Sequence, residues 1–334
     1  MSFTIRKIEE INHSDDSWDK LCVSVYQNKE FLNHLEKYNP CNQRYYLLYE
    51  NNMLCSGAIV YSLKVNVFTY SKLNCKIHFS IIGIPTSVDA SGIIGDEKYY
   101  SSLVEYIIKN ERGIILCLNY DNIIGIDNIV QMQTLPALIF ENNFSSWEHY
   151  CKSLKHNYRR RIFQAQNKFC EVNKVSCSCS HFNDEHYEQY ISIMSRTKTK
   201  LEILSNEFFM RLDSNYTLHS FYKDDILLTW HITIKNEGSY YFLFGGINYE
   251  LRDKYDSYYN NLISIVKEGI ELGCDRISMG QTAEISKNRL GARLVTQRMF
   301  IYHSNKLVNY IFVVFRNVLT YKTKTIHAHI FKSN

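Results

Sequence analysis

The chain has 334 residues, with 38 Lys+Arg against 34 Asp+Glu and a formal charge of +4, too near neutral to argue by itself for DNA, RNA or an anionic membrane as partner. Hydrophobic residues at 45% and charged residues at 22% exclude the disordered and collagen-like classes. The length exceeds the size at which one core stops growing and predicts two domains, and three Pro with 13 Gly leave no long flexible linker.

The first residues, MSFTIRKIEEINHSDD, lack the long apolar stretch of a secretion signal. Residues 44–63 then read as two β-rich runs separated by Asn51-Asn52, a hairpin turn signature. A further strand follows at 78–83, ending in Gly83. Next comes a helix opening with Tyr99-Tyr100, and a short buried strand at 114–118. The same order returns later: a hairpin over 216–235 turning at Asp224-Asp225, a strand over 240–246, and a helix opening with Tyr258-Tyr259. A short strand at 276–279 closes the second set. Leu262, Ile265, Val266 and Ile270 recur at helical spacing and give the second helix one apolar face. A tandem duplication accounts for this succession of hairpin, strand, helix, strand, twice.

Between the copies lies the most charged stretch, residues 147–169, with Lys152, Lys155, Arg159, Arg160, Arg161 and Lys168. Ser145 and Glu148 have capping-box spacing, so a helix is expected to start near Ser145. Lys152, Lys155 and Arg159 would share one face, either as a solvated surface or as a platform for an anion such as a phosphorylated carrier or an RNA backbone. Near the C-terminus the longest apolar run, residues 310–315, stops at Arg316, far short of the ~20 residues a bilayer requires. Ten cysteines without one C-x-x-C read as reduced thiols, so a cytoplasmic, non-membrane protein is expected. Cys177, Cys179 and His181 alternate as a strand does, unlike the paired C-x2–4-C of zinc sites, and no metal is expected.

Two stretches carry a family resemblance. Leu154-Lys-His-Asn-Tyr-Arg-Arg-Arg161 is similar to the basic "S-K-x-R-x-x-x-R" motif of the double-GNAT acyltransferases related to Fem-type (FemAB-like) aminoacyl-tRNA transferases. Gly269-Ile-Glu-Leu-Gly-Cys-Asp-Arg-Ile-Ser-Met-Gly-Gln-Thr282, followed by Lys287 and Leu290-Gly-Ala292, resembles their "G-x-x-x-x-D-x-G-x-x-x-x-x-K-x-x-x-G" stretch. The chain departs from the pattern at Phe163, where a second arginine is expected, and at Ser278, where an acidic residue is usual. The resemblance implies an α/β (α+β) fold of two tandem GNAT-like domains, each a mixed, mostly antiparallel sheet with a strand–helix–strand crossover. The expected division is 1–143, a scaffold domain, and 144–334, a catalytic domain opening with the basic helix. The implied activity is transfer of an acyl group from a thioester donor, coenzyme A or carrier-protein phosphopantetheine, to a small amine. Transfer from aminoacyl-tRNA and a non-catalytic binding role are the alternatives. Residues 247–258 contain no glycine, whereas ordinary GNAT enzymes bind the coenzyme A pyrophosphate there on a glycine-containing loop; this leaves room for a donor held on a carrier protein or tRNA.

Acyl transfer to an amine needs a proton acceptor, an oxyanion donor and a proton for the leaving group. His231 aligns with Ala58 through the two hairpin turns and lies on the strand face of Thr229 and Thr233, so it is the candidate base, or else a strand histidine with no role. Gln281 would orient the carbonyl at the end of the crossover strand, and Thr282 would contact substrate or serve as a helix N-cap. Lys287 and Arg159 would bind anionic groups, or simply decorate the surface. Tyr255 is the candidate acid, and Asp256 and Tyr258 sit where the donor's polar end is expected. Arg196 and Trp230 complete the expected binding set; the first copy has Gly57 and Ala58 where the second has Trp230 and His231, which leaves it fewer reactive side chains.

Overall fold

A computed structural model of the chain describes residues 3–66, 76–120, 125–197, 202–322 and 329–332. Along the chain run β1 (Phe3–Ile8), α1 (Lys29–Tyr38), β2 (Arg44–Glu50), β3 (Met53–Asn66), β4 (Lys76–Ile82), β5 (Ile93–Gly95), α2 (Tyr100–Asn110), β6 (Ile114–Tyr120), β7 (Val130–Gln133) and β8 (Ala137–Glu141). Then come α3 (Trp147–Ser153), α4 (His156–Asn167), β9 (Asn173–Ser178), α5 (Asp184–Arg196), α6 (Asn206–Met210), β10 (Tyr216–Lys223), β11 (Ile226–Asn236) and β12 (Ser239–Ile247). The last elements are α7 (Arg252–Tyr255), α8 (Ser257–Glu271), β13 (Arg276–Ser278), α9 (Glu284–Asn288), β14 (Arg293–Val295), β15 (Arg298–His303) and α10 (Lys306–Leu319). None of the described helices is long and apolar enough to cross a membrane.

The chain forms two compact units, each built on one sheet. In the first, strands run β1-β2-β3-β4-β6-β15-β7, with β5 also pairing β3; in the second, β14-β8-β13-β12-β11-β10-β9. Each sheet is antiparallel except at one place, where β4 pairs β6 and β12 pairs β13 in parallel. Helices α2 and α8 make those two crossovers. Both hairpin turns take left-handed backbone, Asn51 and Asn52 at φ 50° and 61°, Asp224 and Asp225 at φ 50° and 63°. Short polar side chains tolerate this region, and two such residues in a row form the turn whose twist matches a hairpin. Each hairpin also carries a bulge just before its turn, between Leu48 and Tyr49 and between Phe221 and Tyr222. The duplication is therefore visible down to an irregularity in the ladder.

The units do not divide at 143/144. The first comprises residues 1–135, 198–204 and 296–323; the second comprises 136–197, 205–295 and 324–334. β8 joins the second sheet between β13 and β14, and β15 joins the first between β6 and β7. β8 is buried over its first four residues, as a strand flanked on both edges should be. The expected single basic helix is two, capped by Ser146 rather than Ser145: Leu154 leaves helical backbone at ψ 143° and bridges to Phe331. Lys155 N–H donates to Ile330 O at 2.9 Å, so C-terminal residues wedge α3 from α4.

Helix α8 lies on one face of the second sheet with Leu262, Ile265, Val266 and Ile270 buried against Leu138, Phe140 and Ile277. At Gly269 a Cβ would come within 2.4 Å of Ile277 Cδ1, so only glycine allows this close approach. The opposite face buries Trp230 among Phe182, Phe209 and His186.

Candidate functional site

β12 and β13 pair only over Ser239–Tyr241 and Arg276–Ser278. Beyond Tyr241, β12 continues to Ile247 along β11, while β13 ends and its chain turns toward α9. Among the described residues that edge of β12 has no further strand partner, so the two strands open a notch. The turn out of β13 is strained: Gly280, Thr282 and Ala283 all have positive φ, 67°, 62° and 52°. A β-branched residue in this region is a true outlier, and such backbone concentrates at functional sites. Lys287, buried on α9, donates its ammonium to Gln281 O at 2.7 Å and lies 5.7 Å from the Phe242 ring centroid, holding this turn against β12. Thr282 is not the N-cap of α9; Ala283 is, with no side-chain cap.

The other wall is the connection from β12 into α8. Asn248 Oδ1 accepts from Glu250 N–H and Leu251 N–H, α7 makes one turn, and Asp256 reverses the chain at φ 48°. Asn260 fastens that reversal by donating to Tyr255 O and to Ala165 O on α4. An aspartate thus occupies the left-handed position that glycine would usually fill. Its carboxylate makes no cap to α8; it pairs with Arg161 at 3.1 Å and Lys168 at 3.2 Å.

A cleft of about 190 Å³ opens at this N-terminus, lined by Arg161, Arg252, Asp253, Asp256, Tyr258, Tyr259, Ser286 and Arg289. Arg252 is paired with Asp253 at 2.8 Å, whereas Arg289 forms no ion pair among the described residues. Arg161 also lies 5.3 Å over the Tyr259 ring. Ser257 Oγ and Tyr259 OH are buried without a hydrogen-bond partner. Three guanidinium groups, two of them paired to lining aspartates, a helix N-terminus and the orphaned Tyr259 hydroxyl make a recess with a net positive charge, suited to an anion. Burial pushes the Tyr258 phenol well above its usual range, so it stays protonated at neutral pH.

Among the sequence-derived candidates, Tyr258 and Asp256 line this cleft, and Gln281, Thr282 and Lys287 form the adjoining turn. Tyr255, at the end of α7, does not line it, and its ring carries the Lys254 ammonium at 5.0 Å. Arg159 is half-buried on α4, two residues from the arginine that does line it. Arg196 is an exposed residue of α5 that stacks 4.1 Å over Tyr249. Trp230 packs on the far face of the sheet, its Nε1–H donating to His186 O at 3.1 Å. His231 is fully buried beneath α8, with Nδ1 2.6 Å from Asn261 Oδ1. Sequence reading missed Arg161, Arg252 and Arg289. The run Arg159-Arg160-Arg161 was visible, but the break at Leu154 resets the helical phase that decides which arginine turns inward.

No protein-family model and no curated protein sequence matches the chain. Solved structures do. The crystal structure of FemX superposes with a TM-score of 0.54, at 11% identity, over 92% of this chain and 99% of that one. A tandem GNAT protein from the clavulanic acid biosynthesis pathway gives 0.50, at 8% identity, over 90% and 98%. The chain has the tandem GNAT fold. The chain also superposes on a conserved protein of unknown function from Bacteroides thetaiotaomicron, with a TM-score of 0.53 at 8% identity over 89% and 99%. Within this tandem GNAT fold, the notch and the arginine cleft both belong to the second copy.

Proposed function

We propose that the second unit transfers an acyl or aminoacyl group to an amine, from a donor whose anionic carrier docks in the arginine cleft. The observation that carries this reading is the convergence of Arg161, Arg252 and Arg289 on the N-terminus of α8, at the end of the sheet where β12 and β13 part. The acyl carbonyl would lie in the notch against the unpaired edge of β12, whose backbone N–H groups stabilise the developing oxyanion. The neutral amine attacks the carbonyl carbon, the C–S or C–O bond breaks, and the amine's surplus proton passes to water. Tyr258 donates the proton to the departing sulfur or oxygen and regains one from the water that took the amine's proton; it takes the role expected of Tyr255 because it lines the cleft. His231, sealed from solvent, has no part in this scheme. Lys287 acts by holding the Gln281–Ala283 turn, which orients the carbonyl.

Coenzyme A thioesters, acyl-carrier proteins and charged tRNA all present phosphates that such a cleft fits. The exposed basic residues around α4 favour charged tRNA as a second reading, for which activity would fall steeply with salt and vanish on RNase treatment. The test is transfer by purified protein from each donor class to a panel of amines. Turnover from one class, with its KM raised in Arg289→Ala, supports the proposal; no product from any class overturns it.

A further inference from the structure

Beneath α8 two histidines on neighbouring strands meet a glutamate from the helix. The bulge after Phe221 sets His219 directly across from His231, with ring centroids 4.7 Å apart. Glu268 Oε2 lies 3.3 Å from His219 Nε2 and 3.9 Å from His231 Nε2. All three ligand-type atoms fall within 4.8 Å of one another.

The surroundings fix which atoms face this space. Asn261 commits its amide NH2 to Thr229 Oγ1 at 2.5 Å and Trp230 O at 3.0 Å, so its oxygen faces His231 Nδ1 and that nitrogen carries the hydrogen. His219 Nδ1 is likewise engaged, 2.8 Å from Ser176 Oγ, and its Nε2 lies 3.0 Å from Thr233 Oγ1, a contact that a bound ion would replace. Lys174 and Ser264 bind Glu268 Oε1, leaving Oε2 toward the imidazoles with only the Tyr240 hydroxyl on it. These outer bonds orient imidazole and carboxylate ligands as the second shell of a metal site does.

His231 Nε2 is the independent sign of a missing partner: the ring is wholly buried, and this nitrogen makes no hydrogen bond. A proton there would face Glu268 across 3.9 Å, outside hydrogen-bond range. A four-coordinate dication with bonds of about 2.0–2.2 Å holds its ligand atoms roughly 3.3–3.5 Å apart; His219 and Glu268 already have that spacing, whereas His231 stands 3.9 Å from Glu268 and the three atoms span up to 4.8 Å, so its ring would close on the ion. We propose that His219, His231 and Glu268 bind a transition-metal dication of the zinc class, with water completing its coordination.

The experiment is equilibrium dialysis of the full chain, stripped by chelator, against Zn²⁺ and against Co²⁺. One equivalent per chain is expected, with visible absorption of a four-coordinate Co²⁺ centre and a rise in thermal midpoint on adding Zn²⁺. His219→Ala and Glu268→Gln should each weaken binding on the order of 100-fold or more. The midpoint of the unaltered protein with and without Zn²⁺ reads out the site even if a variant fails to fold. Less than a tenth of an equivalent at 100-micromolar-scale ion, or full binding retained by folded His219→Ala, would overturn the assignment.

Discussion

Each unit buries one glutamate from the end of its crossover helix against the first strands of its sheet, and the two copies neutralise it differently. In the first, Glu111 receives a fork from Arg44, whose Nε donates at 2.6 Å, together with Tyr46 OH at 2.5 Å, Ser80 Oγ at 3.1 Å and Lys7 at 3.6 Å. In the second, Glu268 meets two imidazoles, a tyrosine and a lysine. Aligned through the hairpin turns, Tyr46 corresponds to His219 and Ala58 to His231. The crossover helices differ in the same sense at their other ends. The first is preceded by Asp96 and Glu97, while the second has Asp253 and Asp256 set among three arginines. Around the first glutamate the partners include an arginine and hydroxyls; around the second they include two imidazoles, and at the far end of its helix one arginine, Arg289, forms no ion pair among the described residues.

Breaking the closed network should have the largest effect. Arg44→Met strips a buried carboxylate of its cation and is expected to cost about 3–5 kcal/mol in denaturant unfolding; a loss below about 1 kcal/mol would mean that Lys7 alone suffices. On the proposed function of the second copy, Tyr258→Phe should lower kcat roughly 100-fold while Tyr255→Phe leaves it nearly unchanged, a contrast that equal losses would erase. Arg289→Ala should raise KM for the donor about 10-fold with kcat little changed, whereas Arg159→Ala, outside the cleft, should move neither. The smallest effect is on pH. Burial opposes ionisation of Glu111, but its bonds to Arg44 and Tyr46 outweigh burial and hold its carboxyl at about 2. A depressed carboxylate stabilises the fold above its ordinary value of 4.5 and loses that contribution as pH falls toward 2. Acid titration of stability should therefore flatten between those values in Glu111→Gln, and an unchanged slope would assign it to other groups.

The repeat, both hairpin turns and the crossover helices were legible because each is written in local signals: paired Asn or Asp residues, an apolar stripe, a tyrosine pair. The exchange of β8 and β15 between sheets was not, since alternation tells a strand which face to bury but not which edge to join. His219 escaped notice because pairing counted simply from the Asp224-Asp225 turn sets it opposite Trp230; only the bulge at Phe221 brings it opposite His231. Thr282 has the chemistry of a helix cap, yet Lys287 draws the preceding carbonyl inward and the helix starts one residue later.

Hydrogen–deuterium exchange with and without each donor class, acyl-coenzyme A, acyl-carrier protein and charged tRNA, reads directly which copy receives the anionic carrier. Slowed exchange over residues 251–262 and 281–289 with at least one donor is the predicted result. Slowing confined to residues 96–110, or none with any donor, would contradict it.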